Sequence, residues 1–550
     1  VTRAQAAVLA AILVAAAALR AIGLDQGLRH PPHGDESAFV ENVHRMIAEG
    51  DLDHRYYEYP GLFFYLLYPV LRGVMGTDPP GADAYLAARA VVAALGVVAV
   101  ALQFLFTRLL VPAWAAVFAS ALLAVSLVAV QTAHTVRPDV ALSVFVLLAL
   151  IALLRTDGRP GRDAVAGAAL GAAAAIKFSG IFLVPALALR RLLVPERRLL
   201  GLAMAGAAAA GAFAILSPYS FLHLDEFVKG VETQVSYHYE EAAEPDLVKS
   251  FPQMVLLYLR VWTKTLGAPA AVLSFIGLAA ALRAPRRWAP LLVAPALAIV
   301  VFATSQVLRD RFLLPSMAVG FALAAAGWAE LWAVSRRLAA LVAVVALALP
   351  LIGSVRFVRD VARPATTDRA LDWAASALRH GERVLTRLDL GLDPARVEVF
   401  KVSRLDRRAQ VLAADVLFVT DRDEPGPLAG LTELATFLPA GRYDGPPIRA
   451  LAVPDAVRPA RRTIPVPASA LQASSGAATL AAAVDGDPAT WWHTEGIQQA
   501  GDPVTFDLGR EALVGGLVLA LADEPRFAAR ELRVEVRRGG AWSGSPWVFG

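Results

Sequence analysis

The feature that most limits what this chain can fold into is the return, through its first two-thirds, of apolar runs such as Val91 to Phe106 and Leu338 to Leu349. A helix needs about 20 mostly apolar residues to cross the hydrocarbon of a bilayer. Candidate spans lie near 4–24, 84–109, 112–131, 139–154, 164–177, 179–193, 199–217, 266–283, 288–305, 312–333 and 337–355. The spacing therefore predicts about eleven transmembrane helices. A chain that is 57% hydrophobic and only 18% charged, with mean hydropathy +0.53, is neither soluble, disordered nor fibrous. It holds no cysteine, which removes disulfides, thiolate metal sites and cysteine nucleophiles, so an exported domain must fold by burial alone.

The turns between spans give an orientation. Alternate turns carry Arg108, then Arg155, Arg159 and Arg162, then Arg190, Arg191, Arg197 and Arg198, then Arg283, Arg286 and Arg287, then Arg336 and Arg337. With a cytoplasmic N-terminus every cytoplasmic turn is basic, and loops 25–83, 132–138, 218–265 and 306–311 face outward with the whole tail. The pI near 9.3 reflects 28 Lys+Arg against 23 Asp+Glu in residues 1–355, and we read this excess as topology rather than nucleic-acid binding. The first run, flanked by Arg3 and Arg20, reads as an uncleaved anchor. Residues 164–193, interrupted by Lys177, read as a broken pair of short spans.

The expected fold is thus a polytopic α-helical protein of the plasma (inner) membrane, with residues 1–355 as its transmembrane domain. Residues 356–462 are expected to form an exoplasmic α/β domain and a linker. Thr366 to Leu378 is an amphipathic helix, Arg383 to Leu385 and Val416 to Thr420 are strands, and Pro446, Pro447, Pro454, Pro459, Pro465 and Pro467 mark the linker. Residues 463–550 switch to short alternating strands such as Val504 to Leu508 and Leu532 to Val536, the pattern of a partial β-sandwich. Alanine-rich runs such as Ala207 to Ala210 read as close helix contacts.

The first outward loop carries the densest chemistry. It reads His33-Gly34-Asp35-Glu36-Ser37-Ala38-Phe39, then an amphipathic stretch to Gly50-Asp51, then Tyr56-Tyr57-Glu58-Tyr59-Pro60. A hydroxyl attacking a sugar carbon must lose its proton in the transition state, and a carboxylate within hydrogen-bond reach serves as that base. Asp35 and Glu36 also suit the N-terminus of the following helix, and the two roles are compatible. The second outward turn supplies His134, Arg137 and Asp139. There Arg137 can grip a phosphate bidentately or simply close a helix junction with Asp139. Lys177 at the edge of hydrocarbon calls for an anionic partner. Arg309 and Arg311 add two guanidinium groups, which either bind an anion or snorkel. Tyr57, Glu58, Tyr59, His134 and Asp139 are the candidates for contacting acceptor or sugar. Together, acids from loop one and cations from three other outward turns describe a place for a lipid-linked phosphate.

Metal chemistry is less well marked. His30, His33, His44 and His54 match no standard zinc spacing and read as solvated loop histidines, while Asp35 and Glu36 are oxygen donors suited to a divalent cation. Asp485 and Asp487 stand at a tight turn as calcium donors, with plain turn chemistry as the alternative. Aromatics of the loop Pro218 to Trp262, among them Tyr237 and Tyr239, suit sugar stacking but equally an interfacial belt.

In this order, Gly34-Asp35-Glu36, Gly50-Asp51, Tyr57-Glu58-Tyr59-Pro60, Arg137-Pro138-Asp139, Lys177-Phe178-Ser179-Gly180 and Arg311-Phe312-Leu313-Leu314-Pro315 resemble the glycosyltransferase C superfamily. The likeness is greatest to its protein O-mannosyltransferase and aminoarabinose transferase branch. Thr367-Asp368-Arg369-Ala370-Leu371-Asp372-Trp373 resembles the opening of that branch's exoplasmic domain. The resemblance implies an inverting transferase that uses a polyprenyl-phosphate sugar donor and a protein, glycan or lipid acceptor. It implies Asp35 as catalytic base with Glu36 beside it, and Arg137, Lys177, Arg309 and Arg311 as donor-phosphate contacts. Aminoarabinose transferases carry a lysine before paired prolines in loop one where this chain has Glu58-Tyr59-Pro60-Gly61, so neither that sugar nor a lipid A acceptor is implied. The segment Ala483 to Trp492, with Val504 to Gly509 and Leu532 to Val536, resembles a discoidin (factor 5/8 C-type) carbohydrate-binding module. Two other classes compete: a transporter or flippase of lipid-linked sugars, disfavoured by the lack of an internal repeat, and a surface adhesin acting through its tail.

Overall fold

The computed structural model describes residues 2–29, 34–76, 79–193, 198–241, 249–305, 307–401, 411, 414–421, 423, 428, 430–454, 467–484, 492, 504–507, 532–538 and 541–549. The chain divides into two compact units, Val1–Ala365 with Ala440–Asp444, and Thr366–Pro439 with Gly445–Gly550. The first is all helical: α1 (Arg3–Ala21), α2 (Gly34–Glu49), α3 (Leu62–Val74), α4 (Ala82–Thr107), α5 (Ala113–Val125), α6 (Leu127–Thr132), α7 (Pro138–Leu154), α8 (Pro160–Ile176), α9 (Val184–Leu193), α10 (Arg198–Leu216), α11 (Tyr219–Leu222), α12 (Leu224–Ser236), α13 (Phe251–Leu266), α14 (Ala268–Ala281), α15 (Pro285–Thr304), α16 (Met317–Val334) and α17 (Arg336–Val361). Tight 3-10 turns at Phe178–Leu183 and Asp310–Ser316 lead into α9 and α16.

Each of the eleven expected spans falls on helix, but among the described residues only six helices are long and apolar enough to cross a bilayer, or seven if the bent pair α13–α14 is one span. The difference has a local cause. Proline in the first turn starts α7, α8, α13, α14 and α15, where its missing N–H costs nothing, and this divides apolar sequence into shorter pieces. Gly267, at φ +81°, lets α13 and α14 meet at 109°. Short helices such as α7 are walled by other helices: most of its residues are buried, so it need not face lipid along its length. Where helices touch, glycine sets the distance. A Cβ on Gly167 or Gly171 of α8 would meet the carbonyls of Ala205 and Ala209 on α10, and Gly277 of α14 and Gly327 of α16 are locked the same way.

The helices define two ends. α7 begins beside Asp139 and finishes at Arg155; α8 begins near Asp163 and finishes at Lys177; α16 begins after Arg311 and finishes near Trp328 and Trp332. Trp114, at the start of α5, packs on Trp328 and Trp332 (5.1 and 5.6 Å), an aromatic group at the end remote from Asp139. Arg20, expected as a flank of the first span, is instead buried and donates to the carbonyls of Ala16, Leu123 and Ala124 (3.2, 3.2 and 3.0 Å), closing the last turn of α5.

The second unit opens with α18 (Thr366–Ala377) and builds a mixed five-stranded sheet from β1 (Arg383–Thr386), β2 (Glu398–Lys401), β3 (Val416–Thr420), β4 (Thr432–Phe437) and β5 (Ile448–Ala452) in the order β2-β1-β3-β5-β4. β1 runs parallel to β2 and β3, and β5 runs antiparallel to β3 and β4. The unbroken apolar run of β3 follows from its central place. Val416 and Phe418 pack toward α18, and Leu417 and Val419 toward Leu385 and Val453 on the other face. Further on, β6 (Leu471–Ala473) pairs with β7 (Val504–Phe506), and β8 (Leu532–Arg538) with β9 (Ala541–Phe549). Among the described residues these are two separate two-stranded ladders, where the sequence led us to expect a sandwich. Trp492 Nε1 donates to the Gly476 carbonyl (3.1 Å). Asp485, Asp487 and Trp491 lie outside the described residues, as do His30, His33, Arg197, Pro459 and Pro465.

Candidate active site

Asp35 sits in the first turn of α2, where the positive end of the helix dipole favours a carboxylate. Its Oδ2 meets Arg137 (2.8 Å) and Arg311 (3.3 Å). Arg311 in turn approaches Asp139 Oδ2 (3.7 Å), and Asp139 Oδ1 accepts from Lys177 Nζ (2.8 Å). Five residues from four separated segments thus form one chain of charges. Their exposure is graded: the Asp35 side chain is 43% exposed, Arg311 23%, Lys177 16% and Asp139 3%, so the group descends from an open carboxylate to a buried one. Phe312 forms the floor, 5.0 Å from Lys177 and 5.5 Å from Arg311, and Tyr59 lies 6.0 Å from the lysine. Phe312 also borders a small apolar cavity, no larger than a water or two, with Leu142, Val146, Ser179, Phe302 and Pro315. Lys177 reaches this place because the chain leaves the helical path between α8 and the 3-10 turn that follows, which explains why the two spans around it are short.

Glu36, next in sequence to Asp35, is turned elsewhere. It is buried, and Arg89 of α4 grips it through two bonds, Nε to Oε1 at 2.8 Å and Nη2 to Oε2 at 2.6 Å. Its Oε1 also accepts from the backbone N–H of Val136 (2.9 Å), while Arg89 donates to the carbonyls of Leu24 (2.7 Å) and Gln26 (2.8 Å). One carboxylate therefore ties the residue after Asp35 to the residue before Arg137. Both oxygens of Glu36 are thus engaged on the Arg89 side, while Asp35 faces Arg137 and Arg311. Sequence reasoning missed Arg89, although an arginine inside an otherwise apolar span was the signal that could have found it.

The other expected residues are placed as follows. Tyr57 is buried and donates to Asp53 Oδ1 (2.8 Å), whose second oxygen faces His223 Nε2 (3.3 Å). Glu58 accepts from Tyr56 (3.2 Å) and Gln234 (2.9 Å). Burial pushes the phenols of Tyr56, Tyr57 and Tyr59 well above the usual range, so all three act as neutral hydroxyls. His134 has its Nδ1 against the Val130 carbonyl (2.8 Å) and its Nε2 against the Ile22 carbonyl (3.1 Å), and so links α6 to the end of α1. Arg309 is exposed and joins no ion pair among the described residues. His54, expected in solvent, is wholly buried and stacked on Phe64 at 4.6 Å; burial lowers its pKa to about 4. Among the described residues no three histidine or acidic side chains are grouped to hold a metal ion.

Comparison with known proteins bears first on the fold. Residues 82–221, about a quarter of the chain, match the family described as dolichyl-phosphate-mannose-protein mannosyltransferase. The crystal structure of ArnT from Cupriavidus metallidurans bound to undecaprenyl phosphate aligns with 82% of this chain and 99% of its own, at 17% identity and TM-score 0.52. The two share a fold. The archaeal oligosaccharyltransferase AglB from Archaeoglobus fulgidus aligns with 84% of this chain and 75% of its own, at 13% identity and TM-score 0.47. No curated protein sequence matches the chain.

Proposed function

We propose that this chain is an integral-membrane glycosyltransferase that moves a sugar from a polyprenyl-phosphate donor to an acceptor hydroxyl on the outer face of the plasma membrane, with inversion. The observation that carries the reading is the charge chain itself: Asp35 and Asp139 meet Arg137, Lys177 and Arg311, three cations against two carboxylates, with the outermost carboxylate open to an incoming molecule. The excess positive charge suits a phosphate, and the apolar surface of Phe312 and its neighbour Phe302 suits the prenyl chain behind it. The match to a mannosyltransferase family and the shared fold with ArnT, whose structure holds undecaprenyl phosphate, support the same donor class.

In this reading Asp35 accepts the proton of the acceptor hydroxyl as its oxygen bonds to the anomeric carbon. The bond from that carbon to the phosphate oxygen breaks, and polyprenyl phosphate leaves with the electron pair. Arg137, Lys177 and Arg311 offset the charge that grows on the leaving phosphate, with Arg309 at the rim. Asp139 holds Lys177 and Arg311 in place, and Glu36 and Arg89 hold the backbone on either side. Tyr59 and Phe312 are the surfaces on which a sugar ring would lie. Residues 1–355 form the catalytic domain, 356–462 an exoplasmic α/β domain, and 463–550 a discoidin-like module.

The test is to supply the purified chain with a panel of radiolabelled polyprenyl-phosphate sugars and measure release of free polyprenyl phosphate. Release by the native chain and its loss in Asp35→Asn, with an unchanged unfolding midpoint, is the expected outcome. Normal turnover by Asp35→Asn removes the base assignment. Movement of intact donor across a vesicle bilayer without cleavage replaces the transferase with a flippase.

A further inference from the structure

About 25 Å of α7 separates Asp139 from Arg155, so Arg155 marks the opposite end of the bundle. Three turns converge there on Arg190. Its Nε donates to Thr156 Oγ1 (3.3 Å), one terminal nitrogen to the Thr156 carbonyl (3.2 Å) and the other to the Arg286 carbonyl (3.4 Å). Thr156 follows the end of α7 and Arg286 opens α15, so this half-buried guanidinium joins two helix ends, next in sequence to Arg155 at one and within electrostatic reach of Arg287 at the other. The acids nearby are already engaged. Asp157 is shared by Arg162 (2.7 Å) and Arg159 (3.6 Å), and Asp163 is buried against Arg191 (3.5 Å). Among the described residues Arg155, Arg190, Arg286 and Arg287 have no carboxylate partner, and the positive end of the α15 dipole adds to their charge.

Arg190 and Arg287, with Arg155 and Arg286 next in sequence to Thr156 and Arg287, are like charges whose repulsion an anion between them would relieve. The rim lies where α15 begins, a 20-residue helix long and apolar enough to cross a bilayer, so Arg286 and Arg287 in its first turn stand at the depth of lipid headgroups. We propose that this rim is a binding site for the phosphodiester of an anionic phospholipid, with Arg190 as its fixed member and Arg155, Arg286 and Arg287 closing on the headgroup. The site is remote from Asp35 and stands independently of the transfer chemistry.

The test is native mass spectrometry of the full chain released from detergent micelles carrying phosphatidylglycerol or phosphatidylcholine of the same acyl chains. Selective retention of phosphatidylglycerol is expected. It should fall about fivefold for each arginine removed, at roughly 1 kcal/mol per basic residue near a membrane surface. Arg287→Gln, at an exposed position, and the double variant Arg190→Gln/Arg287→Gln should lose it stepwise. Arg336→Gln/Arg337→Gln, an equal charge change beside the start of α17, should keep it. Equal retention of both lipids, or equal loss in the Arg336/Arg337 control, overturns the proposal in favour of charge that serves only topology. Displacement of the lipid by 10 mM inorganic phosphate (on the order of cellular levels) overturns the lipid assignment in favour of a free anion. Should Arg190→Gln lower the unfolding midpoint in neutral detergent, Arg287→Gln alone decides the matter.

Discussion

The two ends of the helical bundle use the same side chains to opposite ends. Around Asp35 almost every cation has an acid within reach: Arg89 has Glu36, Arg137 and Arg311 have Asp35, and Lys177 has Asp139. At the other end Arg190 rests on backbone carbonyls, Arg155, Arg286 and Arg287 meet no carboxylate among the described residues, and buried Asp163 is held by Arg191. A set of charges that is nearly balanced and partly open can rearrange when a substrate enters, because each partner lost is replaced by another. A set with no counter-charge among the described residues leaves a place for an anion from outside the chain. Within the first end the same contrast recurs between neighbours: Asp35 is open and Glu36 sealed, although nothing in the letters Asp-Glu says which is which.

The sharpest way to break this comparison is to neutralise the open acid. Asp35→Asn should lower transfer by about 10²- to 10⁴-fold, the usual contribution of a general base, with little change in stability. If stability falls and activity persists, Asp35 belongs to the scaffold and the contrast with Glu36 is false. Next in size is the sealed pair. Arg89→Leu leaves Glu36 buried without its partner and should cost about 3–5 kcal/mol of unfolding free energy, while the double variant Arg89→Leu/Glu36→Gln should regain much of that stability without regaining activity. Full recovery of turnover in the double variant would show that the tie between α2 and the turn before Arg137 does not position Asp35.

The ends should also differ in acid. The described histidines of the first unit lie in the loops and helices of the Asp35 end, and buried His54 has its pKa lowered to about 4. An imidazole so depressed is protonated more readily in the unfolded chain, so its contribution is complete above about pH 6.5 and is lost as pH falls toward 4. The loss reaches roughly 3 kcal/mol. Hydrogen exchange between pH 6.5 and 4 should open residues 51–67 before α8 and α15, and His54→Phe should flatten the profile; simultaneous opening at both ends would refute it. The smallest effect is expected at Arg309, which is exposed and outside the ion-pair chain. Arg309→Gln should raise the donor KM severalfold, about 1 kcal/mol, and leave kcat unchanged, whereas Lys177→Met should lower both affinity and turnover.

Much of this was legible in the letters. Apolar runs near 20 residues announced a membrane bundle, the amphipathic stretch at Thr366 and the runs at Arg383 and Val416 announced the helix and sheet of the second unit, and Lys177 marked a break in its span. The letters misled where local pattern and burial part company. His54 looked solvated because loops usually are, and Arg20 looked like a flank because arginine usually is, yet His54 is stacked on Phe64 of the next helix and Arg20 is buried against α5, a distant segment. Eleven apolar runs stand against six or seven helices long and apolar enough to cross among the described residues, because hydropathy cannot distinguish a helix that faces lipid from a short one walled by protein.

The sequence by itself determined which segments leave water, since that depends on the summed hydrophobicity of consecutive residues, and it determined which turns carry acids and bases. Only the tertiary structure decided which charges meet. Asp35 and Arg311 are separated by 276 positions yet their side chains lie 3.3 Å apart, and Glu36 finds Arg89 across 53. Such pairings arise because a charge taken out of water must find a counter-charge or a carbonyl wherever the packing of helices brings one near, and that packing is a property of the whole bundle rather than of any stretch of it.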